Sequence, residues 1–568
     1  MKKFLLVAVG LTVVFATTFF ILHRPQPTPT AGAILPATTV ALVDIPNFQH
    51  CRTKVAASPL GKFWQEPEVQ ACLTIPALLT ELSFALPDGE AFLAVTQVTT
   101  LPDVQLSLAA GIDLHGHKLE SQATLKLLEF ELRKNNATSE TKKYRHLKYT
   151  CWKFTDGRQL CHTFLGSLLV FTTDEDSLRD MLARYTSKPD GSALDANASY
   201  QNLLRQLPAQ RDLHAYLNVE QLMNRFGLML FAIAPNNPLV QQLADIQTWG
   251  DGITFAETGV TDVGVTTYGK PHKSAPAIWQ TTLAAAPADS TFYLAGTPDL
   301  AAGYNALLEL VKFTGNSTTA NLLTGLEFGL AIAGINPAED IFAKLGPEVA
   351  GISNWRVGAP VPDLAFVAEV RNQPALAAKF NRLTKILSKV LKTTDDIPVE
   401  GETLHVIHTG SGYASPSYAL TEKYFVFALT ADYAREILTQ IKTGAPHLIV
   451  GSAAATTYCN LRQTFAGLYS LAGTNTCPPL GKLPAPETIA RHVGTYLAET
   501  VDTATVSKTT AHSALGKPVT FLIALAGGYA AAQPWLAANP ELTIPFLSKP
   551  TPRPPAGNQT ATSQTPAP

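Results

Sequence analysis

The stretch LLVFTTDEDSLRDML (168–182) recurs as YFVFALTADYAREIL (424–438). Val170/Val426, Phe171/Phe427, Asp176/Asp432, Arg179/Arg435 and Leu182/Leu438 coincide. Each copy opens on a short apolar run of strand length. Acidic residues follow, where they favour a helix N-terminus, and apolar residues then recur at three- and four-residue steps. The unit is therefore a buried strand followed by an amphipathic helix, and it occurs twice.

Further matches lie on either side. Pro36-Ala-Thr-Thr39, leading into VALVDIPNF, is echoed by Pro287-Ala-Asp-Ser290, leading into TFYLAGTPDL. Pro102-Asp103 opens VQLSLAAGID, and Pro362-Asp363 opens LAFVAEVRN. Helical patterns follow at Lys118–Arg133 and Pro374–Lys392, the second with Leu376, Phe380, Leu383, Leu387, Val390 and Leu391 in register. Tyr200-Gln-Asn-Leu203 is answered by Tyr458-Cys-Asn-Leu461. The repeat distance stays near 255 residues, the period of a tandem domain and not of a solenoid. Strands arrive in runs with helices between the runs. The expected fold is α+β, with two tandem related domains, each a mainly antiparallel sheet with helices packed on one face. The expected partition is 1–33 signal anchor and Pro/Thr linker, 34–275 first repeat, 280–482 second repeat, 483–548 C-terminal extension with an apolar helix, and 549–568 disordered Pro/Thr tail.

Three motifs carry a resemblance. They are the entry Leu35–Thr39, the hairpin Ser417-Tyr-Ala-Leu420 with Phe425-Val426, and Tyr200…Leu207-Pro208…Asp212…Tyr216-Leu-Asn-Val-Glu-Gln-Leu222. Together they resemble an uncharacterised family of exported bacterial proteins with a repeated domain of unknown function, over most of 34–535. The resemblance implies no activity, cofactor or catalytic residue. The second copy lacks the Leu-Pro…Tyr-Leu-Asn element.

The compartment is read from two further features. Phe4–Leu22 is an uncharged run of nineteen residues behind Lys2 and Lys3. At ~1.5 Å per residue it approaches the thickness of a bilayer core. The basic side should stay in the cytoplasm, so the rest of the chain is exported. Ala31-Gly32-Ala33 is the best signal-cleavage match. An uncleaved anchor in the cytoplasmic membrane is expected, with a secreted or periplasmic chain after cleavage as the alternative. The six cysteines fall into local pairs, Cys51/Cys72, Cys151/Cys161 and Cys459/Cys477, which favours three nearest-neighbour disulfides. For the middle pair, Thr155-Asp-Gly157 suits a three-residue hairpin loop that sets Cys151 opposite Cys161.

Composition limits the function. The chain has 568 residues with 43 Lys+Arg against 45 Asp+Glu, too balanced for nucleic-acid binding by bulk charge. No phosphate loop, dinucleotide fingerprint, zinc-protease or nucleophile-elbow motif occurs. Ser139-Glu-Thr-Lys142 matches S-x-x-K by chance in a polar stretch. His115 and His117 form an exposed turn, and His408–Tyr413 reads as a glycine-rich turn. His405 and His408, three apart on a strand, point to opposite faces. No cofactor or metal is expected, and the protein reads as no enzyme. The leading expectation is a membrane-anchored or secreted scaffold or binding protein of the envelope. Its membrane partner is reached through the N-terminal helix, and its protein or lipid partner is not identified. The alternative is a carrier or sensor of an apolar, lipid-like ligand, bound in a groove of Phe226, Leu228, Leu230, Phe231, Phe328 and Leu330.

Overall fold

The computed structural model describes residues 28–72, 89–99, 105–114, 125–126, 129–130, 132–187, 191–233, 238–272, 278–313, 327, 329–332, 334–356, 359, 362–391, 394–408, 415–450, 455–472, 476–477, 481–482 and 484–520. Phe4–Leu22, His115, His117, Gly410–Tyr413, most of the apolar stretch after Leu515 and the 549–568 tail lie outside them. Among the described residues no helix is long and apolar enough to cross a membrane.

The first copy supplies β1 (Ala41–Ile45), β2 (Ala91–Thr99), β3 (Gln105–Asp113), β4 (Thr138–Tyr144), β5 (Leu147–Lys153), β6 (Gln159–Leu165), β7 (Leu168–Thr172), β8 (Leu213–Asn218), β9 (Ile246–Ala256) and β10 (Gly259–Tyr268). The second supplies β11 (Phe292–Gly296), β12 (Leu345–Asn354), β13 (Asp363–Val370), β14 (Thr394–Val399), β15 (Glu402–Ile407), β16 (Ser417–Leu420), β17 (Tyr424–Ala428) and β18 (Ala455–Asn460). After the two-residue strands β19 (Thr476–Cys477) and β20 (Gly481–Lys482), which pair with each other, come β21 (Thr495–Asp502) and β22 (Val506–Ser513).

The pairings place the first copy in the order 4-5-6-7-3-2-1-8-9-10, every pair antiparallel. The second runs 14-15-16-17-13-12-11-18-21-22, the same order strand for strand. The two sets meet where β10 pairs with its counterpart β22 over eight residue pairs, Val260↔Ser513 to Thr267↔Val506. The expected pair of separate sheets is thereby corrected. The copies form one continuous 20-stranded sheet with a pseudo-twofold relation at the β10–β22 ladder. The second copy also runs past the expected boundary at 482, because β21 and β22 belong to it.

The duplicated motif explains the core. In β7 and β17 Val170 and Val426 point to one face, where the helices Glu175–Thr186 and Ala431–Thr443 lie. Asp174 and Thr430 cap these helices through the amides of Ser177 and Tyr433. Leu178, Met181 and Leu182 are buried in one, Ala434, Ile437 and Leu438 in the other. Each fully buried leucine contributes ~1.5–3 kcal/mol. Phe425 and Tyr418 point to the opposite face, where Phe380 of the helix Gln373–Leu391 stacks on Phe425 with centroids 4.9 Å apart. The expectation of helices on one face is therefore also corrected. Inner strands apolar on both sides, such as Leu168–Thr172, require cover on both.

Two further corrections concern local features. Tyr458-Cys-Asn-Leu461 matches Tyr216-Leu-Asn-Val219, not Tyr200–Leu203. In both, the asparagine amide bonds a carbonyl ahead of the first strand, Asn218 to Val40 and Asn460 to Thr291, each at 2.7 Å. In both, its side chain caps the following helix, at Gln221 and Gln463. The second copy thus keeps this element and lacks instead the helix Ala198–Gln206. Only the middle disulfide forms, Cys151–Cys161 across the β5–β6 ladder with Cα atoms 4.0 Å apart. Its hairpin has Gly157 at φ +87° as the sequence requires. Cys51 and Cys459 are buried free thiols. Cys51 is turned into a cluster with Phe255 and Val260, and Cys459 into one with Leu461 and Phe465, so neither is offered to Cys72 or Cys477.

The outer edges are protected from further pairing. β4 carries Glu140, Lys142 and Lys143, and β14 carries Pro398. The copies also interlock above the sheet. Glu66 pairs with His492 at 2.7 Å, and Glu68 accepts from the Ala485 amide at 2.7 Å.

Candidate functional site

Strand alternation places an unusual group of side chains inside the first copy. In Ala41–Ile45 every second residue faces the helices, so Leu42 and Asp44 point inward. Asp44 lies opposite Phe92 of β2 and His214 of β8. In Leu-His-Ala-Tyr-Leu-Asn the inward residues are His214, Tyr216 and Asn218. Tyr200 enters from the helix Ala198–Gln206, whose first turn is capped by Asn197. The Tyr200 hydroxyl lies 3.1 Å from His214 Nε2, and His214 Nδ1 lies 3.4 Å from Asp44 Oδ2. The Asp44 carboxyl in turn shares a hydrogen bond with Glu90. Both Glu90 oxygens accept the Ala31 amide at 3.0 Å. Asp44, His214 and Tyr200 are 6%, 2% and 3% exposed.

Burial sets the protonation of this group. It pushes His214 down to about 3, with the Arg211 charge adding to the effect, so the ring is neutral. It holds the Tyr200 hydroxyl far above the usual phenol range, helped by the Asp44 charge. Burial raises Asp44, against the hydrogen bond from Glu90. It raises Glu90 further, up to about 8, with repulsion from Asp44 next. The pair therefore keeps one proton at neutral pH, on Glu90, which donates it to Asp44. The group can store and hold a proton. Its neutral imidazole and protonated tyrosine face the core and each other.

The second copy is an internal control. The registers Leu42↔Ala94 and Tyr293↔Ile352 align Asp44 with Ala295 and Glu90 with Glu348, and the Tyr216/Tyr458 match aligns His214 with Thr456. Glu348 keeps the structural task. Its Oε1 accepts from the Thr282 amide at 2.9 Å and the Thr282 hydroxyl at 2.7 Å, and its Oε2 from the Trp279 amide at 2.9 Å. The strand glutamate that binds the turn before the first strand is thus common to both copies. The Asp44–His214 pair belongs to the first copy alone.

A second acidic group lies at the join. Asp251 of β9 and Asp262 of β10 are buried on the face opposite that of Val263, and Asp262 Oδ2 accepts the Lys517 amide at 3.0 Å. Burial pushes Asp262 up to about 6 and raises Asp251 as well. Among the described residues no group of three or more His, Cys, Asp or Glu is arranged to hold a metal ion.

The residues singled out from sequence fare unevenly. Ser139 and Lys142 sit on edge strand β4, three apart and so on opposite faces. Lys142 is bound to Glu175 at 2.7 Å. His405 and His408 pair separately with Asp396 at 2.7 Å and Asp395 at 2.8 Å. Phe226 and Leu330 are half-buried. Phe328, and the side chains of Leu228, Leu230 and Phe231, lie outside the described residues, so the expected groove is not outlined. Asp44, Glu90, His214 and Tyr200 were missed. The available signal was one acid and one histidine at inward positions of apolar strands.

Residues 89–445 match the family model described as "Protein of unknown function (DUF3352)". No curated protein and no solved structure matches the chain. The match begins just ahead of β2 and ends just past the helix Ala431–Thr443, so it spans the middle of both copies and well over half of the chain. The chain belongs to the DUF3352 family.

Proposed function

We propose that this protein is a non-enzymatic scaffold or binding protein outside the cytoplasm, tethered to the membrane by Phe4–Leu22. One observation carries the reading. Ala31-Gly-Ala33, the only good cleavage match, is built into the core. Ala31, Ile34 and Leu35 are buried among Leu178, Leu182 and Leu194, and the Ala31 amide is bound by Glu90. A cut after Ala33 would remove part of the folded structure, which favours a retained anchor. The Cys151–Cys161 bridge supports an oxidising compartment. The burial of Tyr200, His214 and Asp44 supports a structural role for the most chemically notable cluster and hence the non-enzymatic reading.

The test is mass spectrometry of the full chain isolated from its own membranes. Under denaturing conditions the mass should retain residues 1–33, and a mass beginning at Ile34 overturns the tether. Under native conditions the bare chain, a whole multiple of it, or a complex of fixed stoichiometry with another protein is expected. Added mass that extracts into organic solvent would replace the scaffold with a carrier of an apolar ligand.

A further inference from the structure

The turn Ala31–Ile34 is held from several sides. Thr28 Oγ lies 2.6 Å from Ser167 Oγ, and the Thr30 hydroxyl reaches Asp195 Oδ2 at 3.5 Å. Arg184 donates to the Ile34 carbonyl at 3.0 Å, and the Leu194 amide to that of Leu35 at 2.8 Å. Glu90 closes the N-terminal side through the Ala31 amide. The corresponding turn of the second copy, Thr281–Ala285, is held by Glu348 with alanine in the Asp44 position. The fold therefore works without a second carboxyl at this point, and the first copy has one.

Two carboxyls within hydrogen-bond reach in a buried place cannot both ionise without strong repulsion. Asp44 Oδ1 has no donor from any other side chain or from the backbone, so a proton on Glu90 is what satisfies the pair. The charged and titratable groups facing them are Asp195 of the turn Leu194–Ala196, Tyr200 of its helix, His214 and Tyr216 of β8, Arg211 ahead of β8, Arg184 of the helix Glu175–Thr186, and Asp113 at the end of β3 beside Gly89. Arg211 is the cation that acts on Asp44.

We propose that Asp44 and Glu90 form a proton-operated catch on the segment Thr28–Leu35. With one shared proton, Glu90 sits hydrogen-bonded between Asp44 and the Ala31 amide. When that proton passes to solvent, two carboxylates oppose each other beside Asp195 and the hold on the segment weakens. That the segment leads to a membrane anchor rests on the function proposed above; the catch itself does not.

The test is hydrogen exchange of the full chain in detergent at about pH 6.5 and about pH 9.5, with labelling times scaled for intrinsic exchange. Protection of peptides covering 28–36 should fall by about tenfold or more at the higher pH, one pKa unit's worth of coupling or more. Peptides covering 281–286, held by Glu348, should show no such fall. Glu90→Gln and Asp44→Asn should each flatten the response of 28–36. Equal pH responses in the two segments would overturn the catch even if a variant failed to fold, as would an Asp44→Asn chain that responds like the unaltered one. Either failure leaves the intact mass, and so the tether, unaffected.

Discussion

Glu348→Ala and Glu90→Ala remove the same strand residue from the two copies, and the structure assigns them different costs. Glu348 is buried and accepts three donors, two of them on fully buried Thr282. Leaving a buried donor unsatisfied costs about 1–3 kcal/mol. The Thr282 hydroxyl retains Tyr293 at 3.0 Å as a second partner, and the Trp279 amide is only partly buried. Glu348→Ala should therefore cost about 2–4 kcal/mol, most of it from the Thr282 amide and the space vacated. Glu90 accepts one partly buried amide, and its removal relieves Asp44. At neutral pH Glu90→Ala should cost about 1 kcal/mol or less. Equilibrium urea unfolding of the full chain measures both, with Glu348→Gln recovering part of the loss by keeping an acceptor. A Glu90→Ala cost equal to or above that of Glu348→Ala would refute the assignment of a pure cap to one copy and a repelling pair to the other.

Other expectations follow from the buried groups. Replacing Cys151 and Cys161 by alanine should lower stability by about 2–3 kcal/mol, since the bridge closes a loop of 10 residues; unfolding with and without reductant on the unaltered chain should give the same difference. Burial pushes the Cys51 thiol up to about 11, with the Asp212 charge adding, so iodoacetamide near pH 8 should label Cys51 and Cys459 only after denaturation. Asp262 has its folded pKa raised to about 6 from an ordinary 3.8, so the folded state holds the proton more tightly and stability should fall as pH climbs through that window. Asp262→Asn should accordingly raise the urea midpoint at pH 8 and leave it nearly unchanged at pH 4, and the reverse ordering would contradict the assignment. Gly32→Ala should disturb the first-copy turn, because an added Cβ would stand 1.9 Å from Asp195 Oδ1.

What the sequence disclosed follows the range of the interactions involved. The Cys151–Cys161 hairpin was legible because Asp156-Gly157 and cross-strand spacing are local. The duplication was legible because strand-helix units such as 168–182 and 424–438 carry their own periodicity. Misalignment of Tyr458–Leu461 arose because the first copy contains two similar tetrapeptides, Tyr200-Gln-Asn-Leu203 and Tyr216-Leu-Asn-Val219. Only the long-range bonds from Asn218 to Val40 and from Asn460 to Thr291 tell them apart. The single sheet was not legible. It depends on Val260–Thr267 pairing with Val506–Ser513, and each run alone reads as an ordinary strand. The polar cluster was hidden for a related reason. An inward Asp44 and an outward one leave nearly the same sequence, and His214 lies far from Asp44 along the chain. The outer cysteine pairs misled because proximity in sequence says nothing of where a thiol points, and Cys51 and Cys459 point into apolar clusters.

The β10–β22 join is the feature on which the architecture rests, and it can be tested by cross-linking. Thr261 and His512 are opposite each other across it, 251 residues apart, with Oγ and Nδ1 at 3.0 Å. Antiparallel partners have Cα atoms ~4.5–5.5 Å apart, within disulfide reach. The full chain carrying Thr261→Cys with His512→Cys should close an intrachain bridge under mild oxidation, seen as a linked 261–512 peptide pair that separates on reduction. No bridge, or bridges only between chains, would contradict a single sheet made from both copies.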